Sequence, residues 1–302
     1  MTPELQNTLV HVAERKKALD ALRPMAPETV LSLRKKISLD WTYESNAIEG
    51  NTLTLYETKA VLEDGITIQG KSLREHFEAV NHKDAIEAVE AMVQEGEPMN
   101  AWAIRSIHSL VLRAIDTQAA GAYRSCNVTI TAANHVPPSH WHLNEAMQAL
   151  ERWYDNDAQA LHPIERASQL HTRFVVIHPF VDGNGRTARL LMNFELMKSG
   201  YPPAVIRHQE RPAYYEALDR AGTLGDYDPM TAITAAAVDQ SLDVYFSVLR
   251  GAKPRVPEPR AGGYLNGLVE RAPYKSALHP ERPADSSVSE EKRHDDATGC
   301  EP

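Results

Sequence analysis

The chain has 302 residues, of which 42% are hydrophobic and 24% are charged, as in an ordinary globular protein. Its net charge of −9 argues against general binding to nucleic acid through a basic surface, although a local basic pocket for a phosphate stays open. No apolar run approaches the roughly 20 residues that a membrane-spanning helix needs. The two cysteines, Cys126 and Cys300, form neither a disulfide framework nor a metal cluster by their spacing, so we expect a reducing, cytoplasmic environment.

Helical periodicity of the apolar residues dominates the chain and predicts an all-α fold. Residues 1–20 form a charged amphipathic stretch without the apolar core of a signal peptide. Beyond it the spacing predicts helices, two of which end at the glycines Gly50 and Gly96. The predicted helices are 27–50, 55–62, 72–96, 99–115, 144–154, 162–177, 184–198, 212–221 and 230–249.

Residues 121–138, "GAYRSCNVTITAANHVPP", interrupt the helical pattern. Val128 and Ile130 alternate there with the polar residues Thr129 and Thr131, and an asparagine supplies a turn residue. Two consecutive prolines close the stretch. This pattern predicts a short β-hairpin within the helical fold.

The stretch "HPFVDGNGRTAR", residues 178–189, joins two predicted helices and has the composition of an anion site. A proline after His178 disfavours helix at the histidine, which therefore lies at a break between helix and loop. The tight turn that follows leads directly into the next helix, whose unpaired N–H groups and positive dipole end attract anions. Gly183 and Gly185 would let a phosphate approach the backbone closely.

The charged residues of this stretch are suited to phosphoryl or nucleotidyl transfer. Arg186 and Arg189 lie three residues apart, so both could grip phosphate oxygens from one helix face. Asp182 suits Mg²⁺, which prefers one carboxylate together with phosphate oxygens and waters. His178 could take a proton near neutral pH. Taken singly, each of these residues has an ordinary structural explanation, and only their joint occurrence favours catalysis.

The stretch resembles the signature of the Fic (filamentation induced by cAMP) family, H-x-F-x-[DE]-G-N-G-R-x-x-R, at every fixed position. The resemblance extends from about Leu39 to about Leu249. Residues 121–138 are similar to the hairpin that the family calls its flap, and "SNAIEG" at 45–50 resembles its [ST]-x-x-x-E-[GN] inhibitory motif. Three separated motifs therefore occur in the order that the family shows.

The resemblance implies a role for each matching residue. Members mostly transfer AMP from ATP to a Ser, Thr or Tyr hydroxyl of a protein and release pyrophosphate. His178 would then be the general base and Asp182 would hold Mg²⁺. The residues implied to bind the nucleotide are Gly183, Asn184, Gly185, Arg186, Arg189 and, on the adenine side, Tyr214 and Tyr215, for which helix packing is an equal alternative. The flap residues implied to hold the target's backbone by strand addition are Val128, Thr129, Ile130 and Thr131.

The resemblance also implies autoinhibition. Ser45 and Glu49 are four residues apart on one helix face, so their side chains can act together. A glutamate that reaches Arg189 would occupy the arginine which the γ-phosphate needs. The triphosphate would then be misaligned for in-line attack.

Three regions follow from these motifs: an N-terminal helical region with the inhibitory motif, 1–100; a catalytic core, 101–250; and a tail, 251–302. The tail is rich in proline and charge and shows no sustained periodicity, which is typical of a disordered segment. The expected partners are target proteins modified on a hydroxyl, with self-modification and a homodimer as further expectations. No membrane partner is expected.

Several alternatives stay open at this point. Related enzymes transfer UMP, phosphocholine or phosphate, and some with an inhibitory glutamate also remove AMP from the modified target. The chain could instead be a regulatory binding module with vestigial catalysis. A metal hydrolase built from His162, His171 and His178 is the least favoured alternative, because their spacing on one helix does not converge on a single metal.

Overall fold

α-Helices account for nearly all of the regular structure in the computed structural model, which describes residues 1–131 and 133–249. Short 3₁₀ turns at 140–142, 158–160 and 208–210 complete it. The helices are α1 Pro3–Asp20, α2 Pro27–Ile48, α3 Leu55–Asp64, α4 Leu73–Glu95, α5 Ala101–Val111, α6 Leu143–Asp155, α7 Pro163–Ile177, α8 Asn184–Lys198, α9 Arg211–Leu224 and α10 Asp228–Leu249. The prediction of an all-α fold is confirmed, and α1 adds a helix where the sequence indicated only an amphipathic stretch.

The predicted helix 99–115 is wrong in its C-terminal part, because α5 ends at Val111. The chain then turns, and Ala114 adopts a left-handed φ of 60°. The side-chain amide of Asn81 donates to the carbonyl oxygens of Val111 and Arg113. Those carbonyls are the acceptors that a further helical turn would have used, so a residue of α4 ends α5.

The helix α8 lies at the centre of the fold, packed against α2, α4, α5 and α7. Every residue of α8 except Gly185 and Lys198 is buried. Two of its buried polar side chains anchor neighbouring parts of the fold: Asn193 bonds both backbone groups of Ala204, and Glu195 pairs with Arg166 and with the hydroxyl of a tyrosine. Because α8 is enclosed on all sides, it supports the loop at its N-terminus rigidly.

The N-terminal helices complete the enclosure of α8, and α1 packs against α10. The predicted division at residue 100 falls in the loop between α4 and α5, and it stays a prediction. The predicted tail, 251–302, lies outside the described residues. Among the helices that are described, none is both long and apolar enough to cross a bilayer.

The predicted β-hairpin is not formed in residues 121–131 and 133–139, which contain no strand. The alternation that predicted it is real, since residues 127, 129 and 131 are exposed and residues 128 and 130 are half-buried. The backbone bonds to distant groups instead of pairing across a hairpin. The N–H of Arg124 donates to the carbonyl oxygen of Pro179 at 3.0 Å, and the N–H groups of Asn134 and His135 donate to Asp219.

Candidate active site

The loop between α7 and α8 and the first turns of α8 carry the predicted site residues of the stretch 178–189. His178 ends α7 with a left-handed φ of 52° and ψ of 58°, and its N–H donates to the carbonyl oxygen of Phe174 at 3.0 Å. Pro179 follows and cannot donate a helical hydrogen bond. His178 thus lies at the predicted break between helix and loop, and its side chain is half-buried. Left-handed backbone is uncommon outside glycine, so the fold holds this residue in a specific conformation.

Asn184 closes the loop on itself. Its side-chain oxygen accepts from the N–H of Phe180 at 3.0 Å, and its side-chain nitrogen donates to the carbonyl oxygen of Phe180 at 2.8 Å. The side chain of Asn184 is thus used within the loop, and only its backbone remains to meet a ligand. The ring of Phe180 is fully buried and anchors the loop in the core.

His108 of α5 connects this loop to the segment 121–139, and the sequence analysis missed it. Its Nδ1 accepts from the N–H of Gly121 at 2.9 Å, so its Nε2 carries the proton and donates to the carbonyl oxygen of Asp182 at 2.9 Å. The imidazole stacks on Phe180 with ring centroids 3.5 Å apart. Burial lowers the pKa of His108 to about 4. In the sequence, the only indication of a role for His108 is its position among the apolar residues of a predicted helix.

Other groups approach both glycines of the loop closely. Gly183 has a φ of 75°, and a Cβ there would lie 3.2 Å from Nε2 of His108. A Cβ on Gly185 would lie 2.3 Å from a carboxylate oxygen of Glu49, so the end of the Glu49 side chain would have to move. No side chain caps the N-terminus of α8, so its first N–H groups can serve an anion.

Arg186 is buried beneath the loop. Its Nη2 donates to Asp182 at 3.2 Å and its Nη1 lies 3.4 Å from an oxygen of Glu78. Its Nε and Nη1 have no hydrogen-bond acceptor among the described residues. Buried donors of a cation normally find an acceptor, so this guanidinium is set to bind an additional anionic oxygen.

Arg189, one turn further along α8, has a complete set of partners. Its Nε donates to the hydroxyl of Ser45 at 2.9 Å, and its Nη2 donates to the carbonyl oxygen of the same residue at 2.9 Å. Nη2 also pairs with Glu49 at 2.6 Å, and Nη1 donates to the hydroxyl of Tyr214 at 3.2 Å. The structure therefore brings together the three residues Ser45, Glu49 and Arg189 that the sequence linked only through the family motif.

Asp182 lies at the edge of a cleft of about 280 Å³ in front of the loop. One carboxylate oxygen accepts from the N–H of Gly183, and the other accepts from Arg74 at 2.5 Å. Burial raises the pKa of Asp182, but the charge of Arg186 and the hydrogen bonds outweigh it and lower the pKa overall. The residues that line the cleft are Glu49, Gly50, Asn51, Arg74, Glu75, Glu78, Asp182 and Arg186.

Burial also controls the protonation of His178. It lowers the pKa of the imidazole, with a contribution in the same direction from Arg124, while the carbonyl oxygen of Val175 acts in the opposite direction. The net effect is a pKa below the ordinary value of about 6.5. At neutral pH the side chain is therefore unprotonated and able to accept a proton.

Comparisons with known proteins decide the family. Residues 98–196 match the Fic/DOC family model. A solved fragment of Fic-1 from C. elegans is 30% identical, with a TM-score of 0.75 over 82% of this chain and 74% of that chain. The chain belongs to the Fic/DOC family. A Fic domain-containing signaling protein from Bacteroides thetaiotaomicron is 29% identical, with a TM-score of 0.72 over 83% of this chain and 100% of that one.

Curated relatives extend the likeness to named enzymes of the family. "Protein adenylyltransferase Fic" from Nematostella vectensis is 42% identical over 68% of this chain and 48% of its own length. A protein of the same name from Drosophila grimshawi is 35% identical over 83% of this chain and 52% of its own length. The chain thus spans about half the length of the curated relatives it matches.

The two tyrosines assigned to the adenine side of the Fic site differ in position. Tyr214 is 1% exposed, and its hydroxyl lies 2.8 Å from Nε2 of His171 as well as contacting Arg189. Its burial favours the alternative of helix packing for this residue. Tyr215 is 40% exposed and its hydroxyl donates to the carbonyl oxygen of Ile48. Contact with adenine stays a prediction for both tyrosines, and exposure favours Tyr215.

The three histidines of the alternative hydrolase site do not form a metal centre. His162 caps α7 by accepting from the N–H of Ile164, and His171 is buried against Tyr214. Within residues 1–131 and 133–249, no group of three His, Cys, Asp or Glu side chains could hold a metal ion by itself. A metal in this Fic site would have to share its coordination with a ligand.

Proposed function

We propose that this chain transfers AMP from ATP to a hydroxyl of a target protein and that Glu49 restrains the reaction. One observation carries the proposal: the base His178, the uncapped N-terminus of α8 and the buried donors of Arg186 meet at one loop. The named activity of the curated relatives supports it. A phosphate at the N-terminus of α8 would lie between the cation and the base.

The residues supply the two requirements of nucleotidyl transfer. The unprotonated imidazole of His178 takes the proton of the target hydroxyl as its oxygen attacks the α-phosphorus. The bond from that phosphorus to the β-phosphate oxygen breaks, and pyrophosphate leaves with the electron pair. Arg186 and the first N–H groups of α8 stabilise the negative charge on the phosphate oxygens, and they are already oriented before substrate binds.

Asp182 fits a shared Mg²⁺. Its pKa is lowered, so it is a carboxylate at neutral pH, and it stands at the cleft beside the anion site. Mg²⁺ characteristically uses one or two carboxylates together with substrate phosphates and waters. When bound, the metal would neutralise phosphate charge. The exposed side chain of Arg74, which contacts Asp182 in this structure, would have to turn away.

Glu49 restrains the reaction through Arg189. The carboxylate reaches over Gly185 to the buried guanidinium, whose side chain is 3% exposed. Ser45 accepts from Nε and Nη2 of the same guanidinium, so the last turn of α2 and its C-cap residue Glu49 supply both partners. While Arg189 is bonded to Ser45 and Glu49, it cannot also bind the γ-phosphate. The triphosphate then loses the alignment that in-line attack needs.

The substitution Glu49→Gly tests the proposal. With α-labelled ATP and Mg²⁺, we expect the variant to label itself and added acceptor proteins faster than wild type does. Glu49→Gln, which keeps the shape and removes the charge, should give an intermediate increase. Adding Arg189→Ala to Glu49→Gly should abolish the gain, because the freed arginine is the agent of activation.

Two results would count against parts of this proposal. Equal labelling by wild type and Glu49→Gly at saturating ATP would remove the restraint but leave the transferase activity standing. Absence of label from all the variants, despite bound ATP, would instead favour the alternative of a regulatory binding module.

The target is proposed to lie along residues 128–131. These residues show the alternating exposure of a strand without a partner strand among the described residues. A target segment could add to it by backbone pairing and so bring its hydroxyl to His178. Self-modification and a homodimer stay predictions.

A further inference from the structure

Arg124 is a buried residue that neither the family motif nor the proposed mechanism uses. It is 4% exposed and lies near the start of the segment that follows α5. Its guanidinium donates to three backbone carbonyl oxygens: those of His178 at 2.8 Å, Cys126 at 2.8 Å and Pro138 at 2.5 Å. The N–H of Arg124 donates in addition to Pro179 at 3.0 Å.

The three acceptors lie in two parts of the active site. Cys126 and Pro138 flank residues 128–131 on their two sides in sequence, and His178 is the proposed base. One side chain thus connects both ends of the segment to the peptide of His178. A guanidinium suits these three separate acceptors, because its donors lie on three nitrogens in a fixed planar fork, whereas the donors of an ammonium or an amide all lie on one nitrogen.

Packing alone does not account for a charged group at this place. No carboxylate of the described residues forms an ion pair with Arg124, and burial lowers its pKa, which means that the charged form is disfavoured there. A buried charge without an ion partner reduces stability unless hydrogen bonds compensate. The carbonyl contacts are therefore what this residue provides.

We propose that Arg124 is a positioning residue for the transfer step, which sets the distance between His178 and a target hydroxyl held along residues 128–131. The proposal rests on the proposed function, since it concerns the same base and the same target segment. It predicts that Arg124 affects the transfer step and leaves nucleotide binding on α8 intact.

The kinetic test uses the full chain in the Glu49→Gly background. Arg124→Gln should lower kcat for AMP transfer by about 10²-fold, the loss typical of misplacement by about 1 Å. The affinity for ATP, measured by calorimetry, should stay unchanged. Arg124→Lys should recover part of the loss, because its ammonium can still reach one or two of the carbonyl oxygens.

Arg105→Gln is the matched control. Arg105 also donates to a backbone carbonyl of this part of the chain, that of Gly121 at 2.6 Å, but it contacts neither His178 nor the residues that flank 128–131. A general loosening of the segment should affect both variants, whereas positioning of the base should affect only Arg124→Gln.

The pH profile supplies a second readout. Burial is the main cause of the low pKa of His178; Arg124 and His135 lower it further, and Glu49 raises it. In the Glu49→Gly background, Arg124→Gln should therefore move the acidic limb of kcat to higher pH. Arg124→Lys keeps the charge and should leave that limb in place. A merely structural role would not separate these two variants.

Hydrogen–deuterium exchange tests the positioning without reference to activity. In an otherwise wild-type chain, Arg124→Gln should raise exchange both in residues 125–139 and around His178, and Arg105→Gln should not. A folded Arg124→Gln variant with unchanged exchange at both places, and with kcat equal to the background, would overturn the proposal. If the background itself transferred no AMP, the proposed function would fail, and exchange alone would decide whether Arg124 positions the base.

Discussion

The loop 178–189 and the segment 121–139 meet at His178 but are held in different ways. The loop is closed by one of its own residues, since Asn184 bonds both backbone groups of Phe180 four positions away, and His108 and Arg124 add bonds from outside the loop. The segment is held by residues that lie far along the chain, such as Asp219 on α9 and the backbone of His178. The part that would hold the phosphate thus has a local closure of its own, whereas the part proposed to hold the target is positioned by contacts with α9 and with His178.

This difference has a functional reading. Charge stabilisation depends on donors that are oriented before the substrate arrives, and a loop that closes on itself at the end of a buried helix meets that requirement. The segment lies at the surface with alternate residues exposed, which suits contact with a protein target. The two regions can therefore be perturbed separately.

The largest effect should come from the residue at their meeting point. His178→Ala should lower AMP transfer by about 10²- to 10⁴-fold, the usual contribution of a general base. Binding of ATP and the free energy of unfolding should stay close to those of the parent. The measurement is self-labelling in the Glu49→Gly background, and undiminished transfer by a folded variant would exclude His178 as the base.

A smaller effect separates local support of the loop from general stability. Asn184→Ala leaves the N–H and the carbonyl of Phe180 without their partner and should lower the free energy of unfolding by about 1–3 kcal/mol. Asn193→Ala is the control. Asn193 lies on the same helix as Asn184 and makes the same pair of bonds, in its case to the backbone of Ala204.

Chemical denaturation and AMP transfer should be measured on both asparagine variants. We expect similar losses of stability but loss of transfer only in Asn184→Ala. Equal losses of transfer would mean that the loop depends on α8 as a whole and not on its own contacts.

An effect that appears only at acidic pH concerns His108, which joins the two regions. Its pKa is about 4 in the folded chain and about 6.5 in an unfolded one, so its contribution to stability is complete above about pH 6.5 and is lost as the pH falls toward 4. Relative to His108→Gln, the wild type should lose about 1.4 kcal/mol of unfolding free energy per pH unit in that window. The other buried histidines titrate in both proteins and cancel, so parallel curves would contradict the assignment.

The sequence by itself determined the helices, the turn at 182–185 and the family. Each of these depends on residues within a few positions of each other: apolar spacing, a proline after His178, and glycines where α8 begins. The pairing of Glu49 with Arg189 also came from a motif, although the motif supplies no geometry. At 121–138 the prediction depended on a pattern alone. The predicted alternation of exposed and half-buried residues is present, but residues 121–131 and 133–138 contain no strand.

Only the tertiary structure decided which side chains complete the site. Tyr214 and Tyr215 are adjacent and chemically identical, yet one is buried against Arg189 and the other faces outward. His108 and Arg124 lie 74 and 54 positions from the loop residues that they bind. Hydrogen-bond partners at such separations are set by how helices pack around α8, and local propensity carries no information about that packing.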